Sequence, residues 1–332
     1  MARRTTKLSI QDIAEMAQVS TATVSRVVNG YPHITPEKRD RVLKIVERLQ
    51  YKPSSIAREL RLSETRRIMV TAADLSSPVL DELIRGIDGR AGEGQYNVFV
   101  APTSKGNDRE VEMIGQVVKG VFDGAILFGT TLAPADLERM AMRFNIVQCG
   151  EFIPARIAGC SIDDEAAARD MVTYLLSKGH RAIAILRSSK RFSGLARERG
   201  YRSAFASANV AIDENLVVEC EYTYEAGDTI GSSVITGRPG VTALFCTNDR
   251  IALGCMNAAR RVGRAVPEQL AIVGFDGTVE STMCEPQITT VRQPYYEIGY
   301  LSMDTLIDSV ESGLRPYGHR FLPHTLTIRG SA

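Results

Sequence analysis

The chain has 332 residues, 44% hydrophobic and 24% charged, with a formal net charge of +1; that is far more than one small helical unit needs, so two or three domains with a large buried core are expected. Six cysteines, at 149, 160, 220, 246, 255 and 284, form no Cys-x-x-Cys pair and have no His at ligand spacing, which argues against a metal site and for buried free thiols in a reducing cytoplasm. Near-neutrality conceals an asymmetry: residues 1–61 hold 12 Lys plus Arg against 6 Asp plus Glu, and the remainder 28 against 33.

In chain order, the start Met1-Ala2-Arg3-Arg4 runs into a polar helix, which speaks against a secretory signal, and no stretch approaches a membrane span. Ser9, with Asp12 three residues on, is positioned to cap a first helix whose apolar face is Ile10, Ile13, Ala14 and Ala17. Val19 can fill a tight turn and Ser20 can cap a second helix, with Val24, Val27 and Val28 inward and Thr21, Ala22, Ser25 and Arg26 outward, before Asn29-Gly30 stops it. Two short helices with a polar second N-terminus are the layout of a helix-turn-helix that reads DNA. Thr35-Pro36-Glu37 starts a third helix with Val42, Ile45, Val46 and Leu49 inside. The net charge of this basic end suits a phosphate-facing surface.

Val19-Ser20-Thr21-Ala22-Thr23-Val24-Ser25-Arg26-Val27, followed by Tyr51-Lys52-Pro53-Ser54-Ser55-Ile56-Ala57-Arg58-Glu59-Leu60, resembles the recognition segment and hinge of the lactose-repressor and galactose-repressor (LacI/GalR) family of bacterial regulators. The resemblance extends through almost the whole chain. It implies a headpiece at 1–52, a hinge and linker at 53–66, and a core at 67–332. Residues 54–61 are too few for a stable isolated helix; in the family two such hinges pair over the operator and a leucine, here Leu60, enters the minor groove. Ala57 allows close approach, Arg58 and Arg61 can meet phosphates, and Glu59 opposes them. Ser20, Thr21, Ala22, Ser25, Arg26, Asn29, Ala57, Arg58, Leu60 and Arg61 are thus the residues expected at DNA.

Beyond residue 66, apolar bursts at 68–72, 98–101, 124–128, 145–149, 182–186, 216–220, 241–246 and 271–274 alternate with amphipathic segments near 78–93, 107–119, 134–142, 163–178, 194–208, 225–235, 249–262 and 294–311. Strands alternating with helices imply an α/β core of two doubly wound parallel sheets, with a break near Ser161-Ile162-Asp163. The family resembles periplasmic binding proteins here, which implies an N-lobe of about 67–161 and 293–322, a C-lobe of about 162–292 and 323–330, and an effector between them.

The resemblance places Arg197, Asn248 and Asp276 at the effector, where an arginine fork and a carboxylate can take vicinal hydroxyls. Arg191 and Ser193 match positions that meet a base in purine-responsive members, and Tyr222, Phe192 or Arg191 are expected near a base. Ser77-Pro78-Val79-Leu80 stands where many members have two aromatics. Segments such as Tyr222-Thr223-Tyr224-Glu225-Ala226-Gly227 and Glu151-Phe152-Ile153-Pro154 resemble the cytidine-responsive branch, so a nucleoside is the expected effector, with a sugar or sugar phosphate as the alternative. No phosphate loop, nucleophile elbow or His-Glu-x-x-His motif occurs, and no catalytic residues, metal or cofactor are expected. The expected partners are a palindromic operator duplex, the effector and a second copy of the chain; no leucine heptads follow the core, so a cytoplasmic homodimer is the simplest state. A nucleoside or sugar receptor without a DNA role is the more remote reading.

Overall fold

The structure, a computed structural model, describes residues 9–28, 31–49, 64–103, 107–315 and 317–332. It divides into two compact units between Glu64 and Thr65.

In the first unit, helices α1 (Ile10–Ala17), α2 (Thr21–Val28) and α3 (Pro36–Arg48) enclose Ile13, Ala14, Ala17, Val24, Val27 and Val42, with Ile10, Val19, Val28, Ile45, Val46 and Leu49 packed around them. α1 begins on a reciprocal cap: Ser9 Oγ accepts from the Asp12 N–H at 3.3 Å, and Asp12 Oδ2 accepts from the Ser9 N–H at 2.7 Å. Two donors that a helix start leaves open are thereby satisfied. Gln18 ends α1 in the left-handed region at φ 52°, and Ser20 Oγ accepts from the Thr23 N–H at 3.2 Å to start α2. Thr35 stands at the cap position of α3 but its side chain makes no capping bond. The fixed φ of Pro36 supports that start instead.

In the second unit the strands form two sheets. The first runs β2 (Asn97–Pro102), β1 (Arg67–Ala72), β3 (Gly124–Phe128), β4 (Ile146–Cys149), β5 (Gly159–Ile162), β11 (His319–Leu322), every neighbour parallel. The second runs β7 (Val217–Glu219), β6 (Ile183–Arg187), β8 (Ala243–Cys246), β9 (Ala271–Asp276), β10 (Thr289–Arg292), β12 (Thr325–Thr327), parallel except for the last pair. The chain fills the first lobe up to Ile162 and the second up to Arg292, returns to the first for β11, and ends on the second with β12. Thr65 and Arg66, expected in the linker, are already fixed to the core: their N–H groups donate to Asp123 Oδ1 and Oδ2 at 2.8 and 2.7 Å.

Helices cover both faces of each sheet, as parallel strands require. In the first lobe Ile68, Val70, Ile126 and Val147 face Leu83 and Ile87 of α4 (Leu80–Glu93) and Ile298 and Leu306 of α11 (Tyr295–Ser312). The alternate residues Met69, Ala125 and Leu127 face Ile114 of α5 (Asn107–Val118) and Leu137 of α6 (Pro134–Ala141). The second lobe repeats the scheme, with Ile183, Ile185, Phe245 and Phe275 against Met171 and Val172 of α7 (Asp164–Ser177) and Tyr201 and Phe205 of α8 (Phe192–Ser207). Ala184, Leu186, Leu244 and Ile272 lie against Val234 of α9 (Tyr224–Gly237) and Ile251 and Cys255 of α10 (Asp249–Arg261). α4 and α11 meet backbone to backbone: a Cβ on Gly86 would lie 2.0 Å from the Tyr296 carbonyl oxygen, and one on Gly299 2.1 Å from that of Leu83. Only glycine permits that approach.

Both sheets have the strand order in which connections diverge on either side of the first strand, at β1/β3 and at β6/β8. A crevice opens at such points beyond the carboxyl ends of the strands.

Candidate functional site

The first unit presents the outer face of α2. Thr21, Ala22 and Arg26 are exposed, while Ser25 is half-buried and not fully outward as the sequence suggests. Ser20 is exposed but its hydroxyl is committed to the Thr23 N–H. The Arg26 carbonyl accepts from the Tyr31 N–H at 3.0 Å, and Arg39 Nη2 donates to the Tyr31 carbonyl at 2.6 Å, which ties the chain after α2 to α3. A short helix held by two others leaves Thr21, Ala22 and Arg26 on an open outer face. Asn29, Ala57, Arg58, Leu60 and Arg61 lie outside the described residues.

In the second unit a cleft of about 740 Å³, counted to its open mouth, lies between the lobes. Its wall brings together Arg191, Ser193, Arg197, Tyr222, Asn248 and Asp276, six of the seven residues singled out from the sequence. The opposing lobe contributes Asp74, Ser77, Pro78 and Val79 after β1, Phe128 and Gly129 at the end of β3, and Glu151 after β4. These positions lie at the carboxyl ends of strands flanking the two divergence points, which is why residues remote in sequence converge.

Arg197, on α8, is the centre. Its Nε donates to Asp164 Oδ1 at 2.8 Å, Nη2 lies 3.3 Å from Asp276 Oδ1, Nη1 donates to the Thr247 carbonyl, and the guanidinium stacks 3.7 Å over the Phe275 ring. Burial alone would lower its pKa; Asp164 and Asp276 more than reverse this and hold it charged. Asp276 sits at φ 105°, a left-handed conformation costly for a residue with a side chain. Bonds to Oδ1 from Gln293 Nε2 at 2.9 Å and the Tyr295 hydroxyl at 3.0 Å hold it there. Burial pushes the Asp276 carboxyl up to about 6, against the nearby Arg197 charge and the Tyr295 bond.

Asn248 lines the cleft, but its Oδ1 caps α10 by accepting from the Ile251 N–H at 2.8 Å. Only its amide NH₂ remains for a ligand. Asp249, the next residue, faces inward and accepts from the Thr290 hydroxyl at 2.6 Å and the Thr278 N–H at 2.7 Å; burial first, then Asp276, push its carboxyl up to about 7. Arg191 Nη1 donates across the cleft to the Gly129 carbonyl at 2.6 Å. Phe192 does not line the cleft: it packs against the apolar cluster of the first lobe around Leu127 and Leu132, which corrects its expected place near a base.

Sequence reasoning missed Asp164, Glu151, Tyr295 and Arg250. Glu151 is buried, its Oε2 accepts from the Ser193 N–H at 3.3 Å, and burial raises its pKa. Arg250 donates to Ser76 across the cleft and lies 3.6 Å from both Asp74 and Glu280. A signal existed for each, since all follow a strand or open a helix, but many residues in the chain do. Among the described residues no group of His, Cys, Asp or Glu could hold a metal ion. Nor is any helix there long and apolar enough to cross a membrane.

The comparisons with known proteins agree with this division. Residues 9–54 match the model of "Bacterial regulatory proteins, lacI family", and residues 172–332 that of a "Periplasmic binding protein-like domain". Catabolite control protein A of Priestia megaterium is 32% identical over 98% of this chain and 99% of its own length. The HTH-type transcriptional repressor CytR of Escherichia coli K12 is 32% identical over 99% and 97%, and the ribose operon repressor of Haemophilus influenzae 30% over 97% and 98%. Among solved structures, the Lac repressor dimer bound to operator and the anti-inducer ONPF aligns with a TM-score of 0.87 at 24% identity, covering 98% of this chain and 99% of that one. With a small helical unit that presents α2, a two-lobed core with a polar cleft, and regulators that match from end to end, the chain belongs to the lacI family of bacterial regulatory proteins.

Proposed function

We propose that this LacI-type DNA-binding repressor acts in the cytoplasm as a homodimer on a palindromic operator, and that a nucleoside bound in the cleft sets its operator affinity. The observation that carries the effector reading is the buried Arg197 fixed between Asp164 and Asp276 at the cleft wall. A guanidinium held in this way and a carboxylate locked at φ 105° form a rigid pair for the two hydroxyls of a ribose. Phe128 and Tyr222 supply rings nearby for a base, and CytR matches over nearly the whole chain. On this reading Ser20, Thr21, Ala22, Ser25, Arg26 and Asn29 meet the operator, while Ala57, Arg58, Leu60 and Arg61 enter as the hinge.

A sugar is the second reading, favoured by the equally extended match to a ribose operon repressor. Calorimetry of the full chain with cytidine, uridine, adenosine, ribose, free bases and common hexoses separates the two. Binding of a hexose with no nucleoside defeats the nucleoside reading. Selection of bound duplexes from a random pool, with and without the ligand found, tests the operator and the direction of control.

A further inference from the structure

We infer that the cleft takes an effector without a phosphate group and rejects phosphate esters of the same molecule. This rests on the cleft being the effector site, as proposed above, but not on the effector being a nucleoside.

The places where an anion would sit are already filled by the protein's own groups. Helix N-termini are the natural anion sites of such a fold, and at α8 the Ser193 N–H is taken by Glu151 from the opposite lobe at 3.3 Å. At α10 the Ile251 N–H is taken by Asn248 at 2.8 Å, and at α7 the Ala166 N–H by Asp163 at 2.9 Å. α4 opens with Asp81 and Glu82 in its first turn.

The cations are committed as well. Among the described residues, those lining the cleft include no lysine and three arginines. Arg197 is held by Asp164 and Asp276, Arg250 by Asp74, Ser76 and Glu280, and Arg191 by the Gly129 carbonyl with Glu110 and Glu151 near its charge.

What remains unpaired are acceptors. Glu151 Oε1, Asp164 Oδ2 and Gln293 Oε1, in or directly behind the wall, are buried with no hydrogen-bond partner; the buried Tyr222 hydroxyl, likewise without a partner of normal geometry, can also donate. Unpaired acceptors at the wall, on Glu151, and behind it, on Asp164 and Gln293, favour hydroxyls and amines. A phosphate offers only acceptors and would add charge beside Glu151 and Asp276 in a site that water screens poorly.

The test is calorimetry of the full chain with matched pairs: cytidine and cytidine 5′-monophosphate, ribose and ribose 5-phosphate, glucose and glucose 6-phosphate, with inorganic phosphate alone. In the pair that binds, the ester is expected to be weaker by about 100-fold or more, the scale of one or two like-charge contacts at reduced dielectric. Glu151→Gln should narrow that gap, by about tenfold for one charge removed. If a hexose and not cytidine binds while its phosphate does not, the inference stands and the nucleoside reading falls. A phosphate ester that binds as tightly as its parent, or saturable binding of inorganic phosphate in the cleft, overturns it.

Discussion

Arg197 shows how one side chain serves both the fold and the site. Asp164 and Asp276 are buried beside it, so Arg197→Ala strands two carboxylates and should destabilise the core by about 3–5 kcal/mol. Arg197→Lys keeps the charge but loses the fork that serves both acids and the Thr247 carbonyl, so it should restore only part of the stability and little of the effector binding. Thermal unfolding alongside calorimetry checks this, and an Ala variant as stable as the parent would show the carboxylates to be neutral. Asp249 makes a second prediction, in pH. Its carboxyl moves from 3.8 in the free residue to about 7 in the fold, so between those values the native state keeps a proton that the unfolded chain has lost. This contribution to stability is complete below 3.8 and is lost as pH rises to 7. His319 works in reverse: burial lowers it from 6.5 to about 4, so its contribution is present above 6.5 and lost as pH falls. Comparison with Asp249→Asn isolates the first effect: the wild type should gain a few degrees of melting temperature on the variant between pH 7 and pH 4. Parallel melting curves across that range would refute it.

At the scale of elements, α2 is a reading helix only if its outward residues meet base edges. Arg26 is exposed in its last turn, and Arg26→Ala should cost roughly 1–3 kcal/mol of specific binding and relax preference at one base pair per half-site. An unchanged preference in a selection from random duplexes would make Arg26 a phosphate contact or no contact. The same elements show what the sequence could reveal. Each helix expected among the described residues, and the strands carrying continuous apolar runs such as Ile68 to Ala72, lie within a few residues of the expected place because pattern and burial agree there. β5, β10, β11 and β12 were not visible: Gly159-Cys160-Ser161-Ile162 and Thr325-Leu326-Thr327 are too short to carry a period, and the edge strand His319-Arg320-Phe321-Leu322 buries little. Thr289 and Thr290 of β10 are buried through bonds to Arg329 and Asp249 and not through apolarity. The cleft divides in the same way. Arg197 and Asp276 stood out by resemblance, whereas Asp164 and Arg250 take their meaning from partners 33 and 174 residues away.

For the whole core, control by an effector requires two lobe arrangements that bind it with different affinity, since equal affinity shifts nothing. Among the described residues, the polar contacts that hold this arrangement across the cleft include Arg191 to the Gly129 carbonyl, the Ser193 N–H to Glu151, Arg250 to Ser76 and Asp74, and the Tyr295 hydroxyl to Asp276. Arg250 is the most separable of these, because it reaches from the first turn of α10 and leaves Arg197 and its acids untouched. Removing a charged hydrogen-bonded contact made in only one arrangement costs that arrangement roughly 1.5–3 kcal/mol. Arg250→Ala should therefore populate an opened core without effector, seen as a larger radius of gyration by small-angle scattering. It should also weaken the effector by about tenfold or more if the ligand binds the closed form, because each 1.4 kcal/mol is a factor of ten. Scattering and calorimetry on the same variant decide the matter together. An unchanged radius with weakened binding would make Arg250 a direct ligand contact, and no change in either would show that the contact does not hold the lobes.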